Sequence, residues 1–425
     1  MARKMKDSGI EWIGEIPEGW TCKRGKQLFV ETNERSKTGS EELLTVSHLT
    51  GVTPRSQKNV NMFMSESLVD YKVCHPGDLA ANTMWMWQGA IGVSRFHGVI
   101  SPSYNTYRQR TINYIPEYLD YLLRIRPLVD TYNAYSTGIT LSRLRLYPQS
   151  FLSIHFIVSP MDEQQKIATY LDVECSRIDA MLAKTRDSIK EYKKLKQAVI
   201  TQAVTKGVRG EREMKDSGVE WIGAIPKDWE IKRLKSFCTI VDCKNRTPDV
   251  FPDGKYTVVR TTCIKDCSFS YEGSYQTDTT NFKAWTLKGQ PHKGDIFFTR
   301  EAPVGEACLV PNADNLCMGQ RVMFFRPEDN SDARYIMYSI YGPLVREYIA
   351  SKNSGSTVGH LKLGQVACIP IFYCPPLEQK EIADYLDAKC AEIDGLIAKK
   401  EQLVKELESY KKSLIYEVVT GKREV

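Results

Sequence analysis

At 425 residues, with 42% hydrophobic and 10% aromatic side chains, the chain is long enough for two or three domains with sizeable cores. It holds no apolar run long enough to span a bilayer, and its opening MARKMKDSG has no apolar stretch behind the charges, which argues against a membrane helix and a secretory signal. The net charge of +6 permits a polyanionic partner without requiring one; the twelve Cys form no CxxC pair and read as reduced, mostly buried thiols of a cytoplasmic protein, with no metal site.

The first element is MKDSGIEWIGEIPEGW at 5–20, and it returns as MKDSGVEWIGAIPKDW at 214–229. After Trp20 the pattern is short, with strand-like runs such as SIHFIVS at 153–159 separated by Gly, Pro, Asn and Ser, and one helical stretch, IPEYLDYLLRI, from Ile115. From Pro160 the pattern changes. No Pro or Gly occurs until Gly207, and Ile167, Leu171, Ile178, Leu182 and Ile189 recur at spacings of four and seven. That is the seam of a long coiled-coil helix, opened by Ser159-Pro160 with acidic residues behind and closed by Lys206-Gly207.

A second variable region follows, with strand-like YTVVRTTCI at 256–264, GDIFFT at 294–299 and RVMFFRP at 321–327, and a helical stretch at 333–351. A second seam comes after Pro375-Pro376, with Leu386, Ile393, Ile397, Val404 and Leu407. EQQKIATYLDVECSRIDAMLAK at 163–184 and EQKEIADYLDAKCAEIDGLIAK at 378–399 share Glu163/Glu378, Leu171/Leu386, Ile178/Ile393 and Asp179/Asp394. GDLAANT at Gly77 answers GDIFFTR at Gly294, and GITLSRLRL at Gly138 answers GSTVGHLKL at Gly355. One plan is therefore written twice, with a shared frame and different filling. The predicted fold is α+β: two tandem mixed α/β modules and two long helices that pair as an antiparallel coiled coil with internal pseudo-two-fold symmetry. The boundaries are 1–159 for the first module, 160–206 for the first helix, 207–374 for the linker and second module, and 375–425 for the second helix. Leu171, Ile178 and Leu182 are expected to face Ile393, Ile397 and Leu407. Each helix, at about 38 periodic residues, would span roughly 57 Å.

No enzyme signature survives inspection. GQPHKGD at Gly289 has Asp295 where a phosphate loop needs its Lys, and CPPL at Cys374 departs from an amino-methyltransferase motif at both ends. PDVFPDGK at Pro248 brings Asp249 and Asp253 too close to serve a metal nuclease and reads as turn chemistry. The variable regions suit nucleic acid instead. Residues 20–150 hold 15 Lys+Arg against 10 Asp+Glu, and residues 229–370 hold 18 against 15. Candidate DNA contacts are Asn82, Trp87, Gln88, Arg95, Ser103, Tyr104, Asn105, Arg143 and Arg145 in the first region, and Arg260, Arg300, Lys352, Ser356, His360 and Lys362 in the second. Amide, hydroxyl and guanidinium groups are the ones that read base edges and hold phosphates. For Trp85 the expected role is core packing.

Carrying these motifs, the sequence resembles the specificity (S) subunit of type I restriction-modification systems, over nearly the whole chain. The resemblance is carried by WIGEIPEGW and WIGAIPKDW, NTMWMWQGAIGVS with SPSYNTYR, GDIFFTREAPVGEACLV, CMGQRVMFFRP, GSTVGHLKL and the two EQ helices. SPMDEQ before the first helix departs from the usual PPLEQ form. The resemblance implies that each variable region is a target recognition domain for one half of a split DNA sequence and that the helices hold the two apart. It implies no catalysis and no cofactor in this chain. Two methyltransferase (M) subunits would bring S-adenosylmethionine for adenine methylation, and two motor-nuclease (R) subunits would bring ATP and Mg for restriction. Such a ruler corresponds to about 17 base pairs, so half-sites would lie one to two turns apart. The alternatives left open are an unrecognised two-domain enzyme and a coiled-coil scaffold protein.

Overall fold

A computed structural model describes residues 3–58, 67–140, 144–353 and 359–425; the candidates Arg143 and Ser356 lie outside the described residues. The chain forms two compact units, unit 1 of Met1–Arg186 with Gln402–Val425 and unit 2 of Asp187–Glu401. The division cuts both long helices, α1 (Met161–Lys206) and α2 (Pro376–Val419). Acidic first turns (Asp162, Glu163; Glu378) favour their N-termini. Gly207 and Gly421 stop them in the left-handed region, at φ 76° and 72°.

Each unit holds its own stretch of antiparallel helix pair. In unit 1, Ile167, Leu171, Ile178 and Leu182 of α1 bury in one cluster with Leu414, Val418 and Val419, with Val404 and Leu407 at its edge. Asp179 binds Lys411 at 2.7 Å and Arg186 binds Glu408 at 2.5 Å. In unit 2, Ile200, Ala203 and Val204 share a cluster with Ile382, Ala383 and Leu386. Lys196 binds Asp394 at 2.7 Å and Lys193 approaches Glu401 at 3.9 Å. Partner numbers fall on α2 as they rise on α1, so the pairing is antiparallel. The expected register needs correction. Ile393 and Ile397 are buried within unit 2 and do not face Leu171, Ile178 and Leu182; of the three expected partners only Leu407 belongs to their cluster. An a/d seam repeats every heptad, so its spacing fits several registers equally well. The cross-helix ion pairs and the caps at the helix ends select among them. Ile189 is only half-buried.

Why the opening is written twice follows from what it touches. In unit 1 the hairpin Met5–Asp7/Glu15–Pro17 leads to Trp20, fully buried, whose Nε1 donates to Glu163 Oε2 at 2.9 Å in the first turn of α1. Arg3 lies over the Trp20 ring and binds the same carboxylate at 2.5 Å. A Cβ on Gly421 would meet Pro17 at 2.5 Å and Trp20 at 3.1 Å, so the end of α2 packs against this hairpin as only Gly allows. Unit 2 repeats the arrangement with Met214–Asp216/Ala224–Pro226, Trp229, Arg212, Glu378 and Gly207. Gln164 and Gln379, both fully buried, hold backbone groups of the adjoining module: Gln164 Oε1 accepts from Ile115 N at 2.9 Å, and Gln379 Oε1 accepts from Asp332 N at 3.0 Å. Each opening therefore docks one helix start, one helix end and a recognition module together.

Each module has its own four-stranded sheet, and the two have one topology. In unit 1 strands β1 (Phe29–Thr32), β2 (Leu79–Ala81), β3 (Ile91–Val93) and β4 (Asn105–Gln109) pair antiparallel in the order β1-β4-β2-β3. In unit 2 strands β5 (Cys238–Val241), β6 (Ile296–Arg300), β7 (Val304–Leu309) and β8 (Val322–Pro327) pair antiparallel in the order β5-β8-β6-β7. The order is the same, although few residues are. The repeated GD motif has a repeated task. Buried Asp78 accepts from His75 N at 3.0 Å and clamps Arg108 of β4 through two hydrogen bonds of 2.7 and 2.8 Å. Asp295 does the same for His292 N and for Arg326 of β8, at 3.0 and 2.7 Å.

The twelve thiols are free, nine of them buried. Burial pushes the Cys74, Cys317 and Cys374 thiols up to about 12. Since the thiolate is the nucleophile, iodoacetamide at neutral pH should leave these three unlabelled in the native protein and label all twelve in urea. Rapid native labelling of Cys317, read by peptide mass, would contradict this packing.

Candidate nucleic-acid interface

Each module gathers polar groups at the equivalent end of its own sheet, where β2 or β6 finishes and β4 or β8 begins. In unit 1 Asn82 follows β2 and is buried; its Nδ2 donates to Tyr104 Oη at 2.9 Å. Thr83 Oγ1 donates to Ser103 O at 2.7 Å, and Thr83 O accepts from Leu146 N at 3.4 Å. Three segments, 82–89, 101–104 and 144–146, are thus tied at one place. The first of them ends in a short 3-10 turn, Met86–Gln88, closed by Gly89 at φ 86°. Trp85 stacks on Trp87 at 6.0 Å, and Trp87 Nε1 donates to Met84 O at 3.0 Å. Burial raises the Tyr104 phenol above its ordinary range, so it stays neutral.

Unit 2 places charge, Arg300 and Arg321, where unit 1 has the hydroxyl residues Thr83 and Ser103. Arg300 ends β6 and is 8% exposed. Its Nη1 donates to both Asp242 oxygens at 3.1 Å and its Nη2 to Asn245 Oδ1 at 2.8 Å. Arg300 N donates to Arg321 O at 3.1 Å, and Arg300 O accepts from Leu361 N at 3.0 Å, matching the Thr83–Leu146 tie of unit 1. Glu301 lies 3.3 Å from both His360 Nδ1 and Arg321 Nε. Beside them Lys244 and Arg246 sit over the Trp285 ring at 4.7 and 5.6 Å. The arrangement offers amides, hydroxyls, guanidinium groups and aromatic faces on short loops. It has the donors and acceptors to read and hold a polyanion.

The family model described as type I restriction modification DNA specificity domain matches residues 226–406. The MjaVIII type I restriction enzyme specificity subunit of Methanocaldococcus jannaschii is 23% identical over 351 residues, 79% of this chain and 78% of that protein. The MjaIX specificity subunit of the same organism is 26% identical over 182 residues, which span 42% of this chain and 41% of the relative. A chain solved in work on complex assembly and conformational transition of the type I R-M system shares the fold, with a TM-score of 0.69 and 15% identity over 95% of this chain and 98% of that one. Residues 226–406 of this chain thus match a type I restriction modification DNA specificity domain.

Among the candidates, Asn82, Trp87, Gln88, Ser103, Tyr104 and Arg145 fall together at the strand end of unit 1, and Arg300 and His360 at that of unit 2. Lys362 is exposed two residues beyond His360. Arg260 is exposed beside Val259, whose carbonyl accepts from Gly319 N at 2.8 Å, so it borders the same cluster. Asn105, buried, spends its Oδ1 on Lys72 Nζ at 3.2 Å. Arg95 is not in the cluster; it lines a cleft of about 410 Å³ beside Asp179 and Lys411 of the helix pair. Lys352 ends a separate helix, with its ammonium over Tyr348 at 5.4 Å. Trp85 needs correction: it is 48% exposed rather than core, because the turn closed by Gly89 buries Met86 and turns Trp85 outward. Sequence reasoning missed Asp242, Asn245, Trp285, Glu301 and Arg321. A signal for Arg321 was present in the repeat: it stands five residues before the clamped Arg326, as the candidate Ser103 stands five before the clamped Arg108.

Proposed function

We propose that this chain supplies the DNA sequence recognition of a type I restriction-modification complex, each module reading one half of a split target. The observation that supports this is the repeated sheet carrying a different set of polar side chains at one equivalent strand end. A shared frame with altered readers is what two different half-sites require. Arg and Lys at the borders would supply salt-dependent attraction to phosphate, and loop side chains would discriminate base edges. No nucleophile–base pair or cofactor loop is assigned to the chain itself. S-adenosylmethionine would come with M subunits and ATP with R subunits, all in the cytoplasm. No helix among the described residues is long and apolar enough to cross a membrane.

Exposed apolar residues on the helices support M-subunit docking there. Val173 (60%), Met181 (44%) and Leu195 (48%) on α1 and Leu403 (40%) on α2 lie outside the buried seam. The test is reconstitution with M subunit and S-adenosylmethionine, read by sequencing of methylated DNA. The expected product is adenine methylation at a split motif, absent without M. Exchange of residues 20–150 for the matching region of a relative should alter one half of that motif and leave the other. A change in both halves, or methyl transfer by the chain after rigorous removal of M, would overturn the reading.

A further inference from the structure

We infer that Arg321 is the base-reading arginine of unit 2, that it reads a guanine in the major groove, and that Glu301 aims it. The inference rests on the DNA-reading function proposed above and adds a residue, a base and a positioning partner. Three features of Arg321 carry it. First, its backbone stands at φ 74°, in the left-handed region that non-glycine residues seldom occupy. The surroundings hold it there: Gly319 N donates to Val259 O at 2.8 Å, Gln320 Nε2 donates to Asn245 O at 3.2 Å, and Arg321 O accepts from Arg300 N at 3.1 Å. A Cβ on Gly319 would strike Val259 O at 2.8 Å, so this loop has no slack. Strain kept by over-determined surroundings clusters at working sites.

Second, the side chain is fixed at its root and open at its tip. Nε is buried and ion-paired with Glu301 Oε1 at 3.3 Å, without hydrogen-bond geometry, while the side chain as a whole is 43% exposed. Among the described residues neither terminal nitrogen has a partner. The planar fork is thereby presented to solvent in a set direction, which is the form in which arginine takes guanine O6 and N7 together. Third, Glu301 also holds His360 at 3.3 Å, and behind it both terminal nitrogens of Arg300 are taken by Asp242 and Asn245. Arg300 is therefore part of the wall, and Arg321 is the free edge of the site. In unit 1 the same position is Ser103, whose carbonyl accepts from Thr83 as that of Arg321 accepts from Arg300, so the two modules present different side chains there.

The test compares methylated motifs of the wild-type complex with those of Arg321→Gly, Arg321→Lys and Glu301→Gln. Gly removes the side chain and suits a positive φ, so folding should be kept or improved. One position of the half-site read by unit 2 should be G·C in the wild type. Arg321→Gly should lower the preference there roughly 10- to 100-fold, leaving every other position and the other half unchanged. Arg321→Lys keeps the charge and should relax the same position, because a point charge cannot make the paired contact. Glu301→Gln should relax it less. An unchanged motif with weaker binding everywhere and a salt slope reduced by about one would make Arg321 a phosphate contact and overturn the inference. So would an unchanged motif at full affinity, or a loss of stability in Arg321→Gly. A wild-type complex that marks no split motif would sink the function itself, and the inference with it.

Discussion

Glu378→Ala should destabilise unit 2 by about 3–5 kcal/mol, the cost of removing one partner from a buried ion pair. Glu378 has no exposed surface, and Arg212, its partner, is 17% exposed. Hydrogen bonding to Glu378 holds the Arg212 guanidinium above its ordinary range. Without the carboxylate that cation keeps only Asp228, itself 54% exposed, and Arg209 loses its 3.8 Å neighbour as well. The helix start loses an anion at its positive end. For a unit of about 200 residues this corresponds to roughly 6–20 °C in melting temperature. Hydrogen exchange should show the loss in 187–401 and leave protection in unit 1 unchanged. The matching Glu163→Ala should cost less, since Glu163 and Arg3 are 29% and 24% exposed. Equal losses in both variants, or none, would mean the carboxylates do not clamp the opening motif as described.

The second large effect is expected from Ile178→Asp. Ile178 is 3% exposed in the cluster with Leu182 and Leu414. The change removes a buried aliphatic side chain and puts an unpaired carboxylate in its place, for about 3–5 kcal/mol. Lys411 offers little rescue because Asp179 already holds it through both oxygens. Ile178→Val, which only shortens the side chain, should cost about 1 kcal/mol. Thermal unfolding of the three proteins side by side checks the order; an Asp variant that melts with the wild type would show that this seam is not packed.

What the sequence made legible was whatever repeats. The duplicated opening, the GD turns and the two EQ helices recur at fixed offsets, so the twofold plan and the pairing of long helices could be read from spacing alone. Register could not, because Leu171 and Ile178 fit several heptads of α2 and only the Asp179–Lys411 and Lys196–Asp394 pairs decide among them. The candidate interface was half legible. Polar loops announced Asn82, Tyr104 and His360, but Arg321 was hidden inside a run that reads as strand. Its exposure depends on a loop pinned by Val259 and Asn245, residues 62 and 76 positions earlier in the chain. Trp85 failed for a related reason: the left-handed turn at Gly89 decides which way an aromatic faces, and periodicity carries no record of it.

The composition of unit 1 from two separated segments has a consequence during synthesis. Unit 2 is continuous from Asp187 to Glu401 and can close as soon as it leaves the ribosome. Unit 1 cannot, because Leu414 and Val418, which cover Ile167, Leu171 and Ile178, follow only after those 215 residues. At about 5–20 residues per second the uncovered seam waits roughly 10–40 s. Through that interval the nascent chain carries an apolar helix stripe in water beside a growing module built on the same plan, whose own helix stripe could cover it in error. The low identity between the two modules then acts as a safeguard, since the wrong half does not fit the frame, and translation speed through 187–401 becomes a determinant of yield.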